Sequence, residues 1–164
     1  MNGYEFSSAN LKELSEIMDI YHSLVGTPGC TWNLGYPDEA TAKSDIGRQL
    51  LYVLKKDGFI VAVASLGEFD ELKYLDWLPE NPCELSRVGV RPMLQKQGIG
   101  TIVLQNIIKT AREKGFDGLV MLVSKINSSA LALYDRNGFE RCGETFMYDI
   151  DFYCYQMKFD EDMQ

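Results

Sequence analysis

The chain has 164 residues, 46% of them hydrophobic, and a formal net charge of −8. That is enough apolar residue for one domain with a sizeable core, here taken as residues 1–164, and it excludes a disordered chain. The acidic balance argues against non-specific nucleic-acid binding, and no apolar run approaches the roughly 18 residues that a membrane span needs.

The opening "MNGYEFSSANLKELSEIMDI" has no basic stretch followed by an apolar one, so no secretory signal is read and a cytoplasmic protein is expected. Asn10 then looks like a helix cap with Glu13 three residues on, and Leu11, Leu14, Met18 and Tyr21 recur at helical spacing. Gly26 and Pro28 stop that helix, and "TPGCTWNLGYP" is a loop with two large aromatics. A second helix is predicted over Asp38 to Gln49. "LLYVLKK-DG-FIVAVASL" predicts a hairpin, because Asp57 and Gly58 tolerate the positive φ of a type I′ turn. Residues 67–83 form a long connection with Pro79 and Pro82, and "ELSRVGV" reads as a strand.

Ile99, Ile102, Val103, Ile107 and Ala111 trace one face of a helix closed by Lys114 and Gly115. "LVMLV" at 119–123 is a short buried strand, "NSSALALYDRNGF" a short helix ending at Asn137-Gly138, and "FYCYQMKF" a last strand. The order β-α-α-β-β-β-α-β-α-β-β gives an α/β fold with a mixed central sheet flanked by helices. Residues 84–124 form its parallel, right-handed βαβ unit. Cys30, Cys83, Cys142 and Cys154 are scattered and the chain has one histidine, so neither a zinc spacing nor a disulfide framework is present. Reduced thiols and no metal are expected.

Gly98 and Gly100 stand where a strand gives way to a helix, although glycine is a poor helix former. Either this is an ordinary turn, or the backbone must come close to an anion at the unsatisfied N–H groups of a helix start. It is not a P-loop, since no G-K-[ST] follows, nor the dinucleotide fingerprint, since Val103 stands where that fingerprint has its third glycine.

The context "VGVRPMLQKQGIG" resembles the acyl-CoA motif of the GNAT superfamily of N-acetyltransferases, with Gln95-Lys96-Gln97-Gly98-Ile99-Gly100 as its core and Pro92 in place. A second stretch, Asn127, Ala130, Tyr134 and Gly138-Phe139, is also similar to that family. The resemblance covers most of residues 51–159. It implies a βαβ acyl-CoA-binding core that takes acetyl-CoA as co-substrate. Main-chain groups of Val88, Gly89 and Val90 would pair with the pantetheine arm. The amides of Gln97, Gly98, Ile99, Gly100 and Thr101 would surround the pyrophosphate, with Lys96 and either Arg91 or Arg112 toward the phosphates.

Asn127 is both a natural helix N-cap and, by the resemblance, a polar contact to the cofactor arm. Tyr134 is a core tyrosine by composition and, by the resemblance, the acid that protonates the departing thiolate. Glu84, four residues before Val88 and read as sharing its strand face, is either a strand-end carboxylate or the general base; Glu68 and Asp76 are its rivals. His22 reads as a boundary residue. A backbone N–H near Val90 would stabilise the oxyanion. Trp32, Tyr36 and Trp77 lie in the two irregular segments, which the resemblance makes the walls of the acceptor pocket.

Charge is segregated along the chain. Residues 67–84 hold six acids and one base, and residues 87–114 six bases and one acid. This is either a solvated surface or the mark of an anionic ligand on one side and a cationic one on the other. The resemblance implies acetyl transfer to a primary amine, small or on a peptide, by direct attack in a ternary complex, with no nucleic acid or membrane partner. The alternatives are a catalytically silent acyl-CoA sensor and transfer of a longer acyl group. Monomer and homodimer both remain open.

Overall fold

The computed structural model describes residues 3–160. In chain order they form β1 (Tyr4–Ser8), α1 (Leu14–Leu24), α2 (Glu39–Gly47), β2 (Leu51–Lys56), β3 (Phe59–Gly67), β4 (Pro82–Val90), α3 (Ile99–Glu113), β5 (Gly118–Ser124), α4 (Ser128–Arg136), β6 (Glu140–Met147) and β7 (Ile150–Lys158). This is the order expected from the sequence. The strands make one seven-stranded sheet ordered β1-β2-β3-β4-β5-β7-β6. Only β4 and β5 pair in parallel, joined through α3.

Local signals explain the element ends. Asn10 and Glu13 form a reciprocal capping box on the 3-10 turn that leads into α1. Asp57 and Gly58 take φ of 52° and 83°, as a type I′ turn between β2 and β3 requires. Asp38 caps α2 by accepting from the Thr41 amide, so the helix starts one residue later than predicted; it ends at Gly47, short of Gln49. The strand expected from Glu84 begins at Pro82, and the last strand begins at Ile150.

Each face of the sheet carries its own core. On one, Ile17, Ile20, Tyr21 and Leu24 of α1 and Ala42 and Ile46 of α2 pack on Leu51, Val53, Ile60 and Val63. On the other, Ile99, Val103, Leu104, Ile107 and Ala111 of α3 pack on Leu54, Ala62, Leu66, Leu85 and Leu119. The α1 stripe is rotated from the predicted one: Leu11 lies in the preceding turn with 62% of its surface exposed, and Leu14 and Met18 only flank the core.

One irregularity determines what β4 presents. Its register against β3 runs Ala62↔Val90 and Val63↔Gly89, then jumps to Ser65↔Ser86. Ala64 therefore faces two residues, Arg87 and Val88, and Arg87 has φ of 48°. This is a β-bulge, and it shifts the side-chain alternation by one. Val88 and Val90 consequently point to the α3 side, while Glu84, paired with Gly67, points to the α1–α2 side. The expectation that Glu84 and Val88 share a face is wrong, because the strand between them is not regular.

Candidate active site

β4 and β5 pair only from Pro82↔Gly118 to Glu84↔Val120 and then part. The gap between them opens into a cleft of about 890 Å³, lined by Leu85–Val90 of β4, Met121–Ser124 of β5, the loop before α3, much of α4 and the α1–α2 connection. Its lining contains the basic side chains of Lys96 and Arg136 and no aspartate or glutamate; Arg87 also borders it, but its guanidinium is paired with Asp45. In a chain of net charge −8 that is a marked local reversal. The walls beside the parted strands are apolar, and the basic and amide-rich part lies at the N-terminus of α3. The site thus suits a long ligand with an anionic end and an arm that can pair with strand edges.

Most residues singled out from the sequence meet here. Val88, Gly89, Val90, Gln95, Lys96, Gly98, Gly100, Thr101, Asn127, Tyr134 and Trp32 all line the cleft. Gln95 donates its side-chain amide to the Val90 carbonyl at 3.2 Å, tying the loop to β4. Asn127 caps α4 by accepting from the Ala130 amide at 3.2 Å. The side chains of Gln97 and Ile99 are elsewhere: Gln97 donates to the Met93 carbonyl in solvent, and Ile99 is buried in the core beneath α3. Those two residues bring only main-chain groups to the loop.

The two glycines have different reasons. Gly98 is the N-cap of α3 at φ 83°, a left-handed conformation that glycine adopts without strain, and a Cβ on it would meet open space. A Cβ on Gly100 would stand 2.9 Å from Leu133 Cδ2, so this glycine allows α3 and α4 to approach. Close approach to an anion therefore does not by itself account for Gly100.

Arg91 and Arg112 are turned away from the loop. Arg91 donates its Nε to the Ile60 carbonyl at 2.7 Å and faces Glu16. Arg112, at the far end of α3, stacks over Phe159 and donates to the Asp160 carbonyl. Arg136, at the end of α4, lines the cleft where they do not. At the C-terminal end of a helix its charge has an ordinary structural explanation, so nothing in the sequence marked it.

Tyr134 is 5% exposed, with its ring packed edge-on against Phe139 at 5.4 Å, and burial pushes its hydroxyl pKa up. It is therefore a proton-bearing group at neutral pH. Glu84 lies on the other side of β4. Burial pushes its carboxyl up to about 7, against a lowering by Arg87 and with a further rise from Glu71. A carboxyl near 7 can take and release a proton at physiological pH. Its rivals Glu68 and Asp76 are exposed in the connection, and His22 is exposed on α1.

Around Glu84 are groups that the sequence did not bring together. Tyr148, in the β6–β7 turn, donates to Glu71 Oε2 at 2.6 Å, and Tyr74 and Thr145 hydrogen-bond at 2.7 Å. These bonds fold the acidic connection over this face of the sheet. The Tyr36 hydroxyl accepts a 3.2 Å hydrogen bond from Arg87 Nη1 on the same side. Trp32 stands edge-on to Tyr21 at the cleft. Trp77 does not reach the cleft: its indole N–H donates to the Leu72 carbonyl within the connection. Among the described residues no cluster of histidine, cysteine or acid could hold a metal ion.

The acetyltransferase (GNAT) family model matches residues 17–139, and the chain belongs to this family. It is similar to the L-methionine sulfoximine/L-methionine sulfone acetyltransferase of Pseudomonas aeruginosa, at 28% identity over 142 residues, 83% of this chain and 80% of that protein. In fold it is similar to yncA of Salmonella typhimurium, solved with its cofactor acetyl-CoA (TM-score 0.75, 24% identity, covering 99% of this chain and 98% of that one). A GNAT-family acetyltransferase from Streptococcus agalactiae shares the fold at TM-score 0.82 and 16% identity, covering 98% of both chains. The protein is an acetyl-CoA-dependent N-acetyltransferase.

Proposed function

We propose that this enzyme acetylates a cationic primary amine, with the cofactor held on the α3 side of β4 and the acceptor approaching from the α1–α2 side. The observation that carries this reading is the separation of charge across the strand. On one side the cleft carries the free bases Lys96 and Arg136 and no acid; on the other, Arg87 is paired with Asp45, and Glu84 lies close enough to Glu71 to feel its charge.

Acetyl-CoA supplies the acetyl group as an activated thioester. Val88, Gly89 and Val90 lie where β4 has left β5, a strand edge with which an amide-bearing arm can pair. The amides from Gln97 to Thr101 at the start of α3, together with Lys96 and Arg136, form the basic end suited to the phosphates. Asn127 and Gln95 add polar groups along the wall. Glu84 takes the proton from the acceptor ammonium, directly or through a water, so that the amine nitrogen can attack. Tyr134 holds a proton at its hydroxyl for the departing sulfur. Trp32 and Tyr36 form the acceptor's aromatic wall.

The similar Pseudomonas enzyme is named for methionine derivatives that carry a free amine, which supports a small primary amine as acceptor. One sheet takes in all seven strands from Tyr4 to Lys158, which supports a single catalytic domain. The four free thiols suit a reducing, cytoplasmic setting. The test is release of free CoA thiol from acetyl-CoA across a panel of amines, with acetyl-CoA binding followed by calorimetry. Amine-dependent thiol release supports transfer; binding without release under every amine would favour a silent acyl-CoA sensor.

A further inference from the structure

The bulge in β4 has an anchor that lies outside the cleft. Arg87 occupies it at φ 48°, a conformation that a residue with a Cβ adopts only when its surroundings impose it. Its guanidinium runs to the α1–α2 side and meets Asp45 in a two-pronged pair. Nε donates to Oδ2 at 2.9 Å and Nη2 to Oδ1 at 3.1 Å. Nη1 reaches the Tyr36 hydroxyl. Asp45 is 4% exposed, and it also accepts from the Ser65 hydroxyl at 2.9 Å. Ser65 is the β3 residue paired with Ser86, immediately before the bulge. A single carboxylate on α2 therefore grips the β3–β4 pair on the near side of the bulge and the bulged residue itself.

None of the α2 residues lines the cleft. Beyond the bulge, however, come Val88, Gly89 and Val90, whose facing and separation from β5 depend on that extra residue. We infer that Asp45 is a positioning residue for acetyl-CoA: through Arg87 it holds the β4 bulge that aims Val88–Val90 into the cofactor cleft. The inference rests on the reading of that cleft as the cofactor site. It assigns to α2, a helix remote from the cofactor, control over cofactor affinity. A bidentate arginine–carboxylate pair suits the task, because it fixes orientation as well as distance.

The experiment titrates acetyl-CoA by calorimetry into the wild type, Asp45→Asn, and two double variants in which Asp45→Asn is combined with Arg87→Ala or Arg87→Gly. Asp45→Asn is expected to weaken acetyl-CoA by roughly tenfold to a hundredfold, the scale on which small misplacements at a site act. Adding Arg87→Gly should restore most of the affinity, since glycine takes a positive φ without an anchor. Adding Arg87→Ala should not, although it removes the same charge. Wild-type affinity in folded Asp45→Asn would overturn the inference, as would equal affinity in the two double variants. The double variants leave no buried charge unpaired, so they decide the matter alone if Asp45→Asn does not fold. A wild-type protein that binds no acetyl-CoA overturns the cofactor-site reading and this inference with it, whereas wild-type binding unchanged by the substitutions overturns the anchor only.

Discussion

Glu84 and Val88, four residues apart on β4, face opposite sides of the sheet, because Arg87 inserts a bulge between them. One strand thereby serves two compartments. Its far half contributes main chain to the basic cleft, and its near half presents a carboxylate to the face covered by the acidic connection. The parting of β4 from β5 beyond Glu84 is what allows groups on the two sides to meet. With Glu84 as the proposed base, base and cofactor would reach one amine without competing for the same space.

The raised carboxyl of Glu84 makes stability depend on pH. Its pKa in the folded protein is about 7, against an ordinary value of 4.5. Below about 4.5 folded and unfolded chains both hold the proton. As pH rises toward 7 the unfolded chain ionises first, so stability is lost through that window and then levels off. Glu84→Gln, which mimics the protonated group, should remove this loss and be more stable than wild type above pH 7 by on the order of 1–3 kcal/mol. Thermal melts from pH 4 to 8 measure it, and parallel curves for the two proteins would refute the raised pKa. If Glu84 is also the base, kcat/KM of the wild type rises with an apparent pKa near 7. The variant loses that limb and recovers part of its rate at high pH, where more acceptor is already neutral.

Gly98 and Gly100 should respond to substitution in different ways. Gly98→Ala meets no neighbour but forces an L side chain into φ 83°, at a cost of about 1–2 kcal/mol. Gly100→Val drives into Leu133 and pushes α4 away from α3, disturbing the wall that carries Asn127, Tyr134 and Arg136. Shortening the neighbour, with Gly100→Ala in a Leu133→Ala background, should recover stability and acetyl-CoA affinity relative to Gly100→Ala alone. Chemical denaturation and calorimetry test the pair. No recovery in the double variant would return the phosphate, rather than Leu133, as the reason for the glycine.

Tyr134→Phe keeps the ring that packs on Phe139 and removes only the hydroxyl. General acids contribute about 10²–10⁴-fold, so kcat should fall by at least roughly the low end of that range. Affinity for acetyl-CoA should be nearly unchanged. Undiminished turnover would mean that the thiolate leaves unaided or is protonated by another group.

What the sequence made legible follows from how local each signal is. The element order, the Asp57-Gly58 turn, the capping box at Asn10 and the two family motifs are short-range patterns, and each is found where it was expected. The bulge was not legible. Nothing in "ELSRVGV" marks Arg87 as the extra residue, and Asp45, the carboxylate that its guanidinium pairs with, lies 42 positions earlier. The same holds for Tyr148 and Glu71, 77 positions apart, which meet only when the sheet forms. Arg91 and Arg112 were misread for a related reason: charge near a motif in sequence says little about where a long side chain points. Trp77 is bonded within its own loop and stands outside the cleft, a contact five residues long that the sequence does not single out.

The acceptor should be a small cation, and its advantage should depend on salt. Glu71 and Glu84 share the face on which the acceptor is proposed to approach, Tyr148 holds Glu71 in place by a 2.6 Å hydrogen bond, and Glu71 raises the pKa of Glu84. Two carboxylates so arranged draw in a positive group and repel a negative one, while Trp32 and Tyr36 can lie against a cation for about 0.5–2 kcal/mol. Lysine-like amines, polyamines and aminoglycosides should therefore show higher kcat/KM than neutral or acidic amino acids. The advantage should shrink as ionic strength rises and the Debye length falls from about 30 Å at 0.01 M to about 8 Å at 0.15 M. Glu71→Gln should narrow the gap between cationic and acidic acceptors at low salt and leave acetyl-CoA binding alone, since Glu71 does not line the cofactor cleft. Steady-state kinetics on this panel at two salt concentrations, in wild type and variant, measure the effect. A preference for acidic amino acids, or rates indifferent to salt, would refute the cationic acceptor while leaving acetyl transfer itself intact.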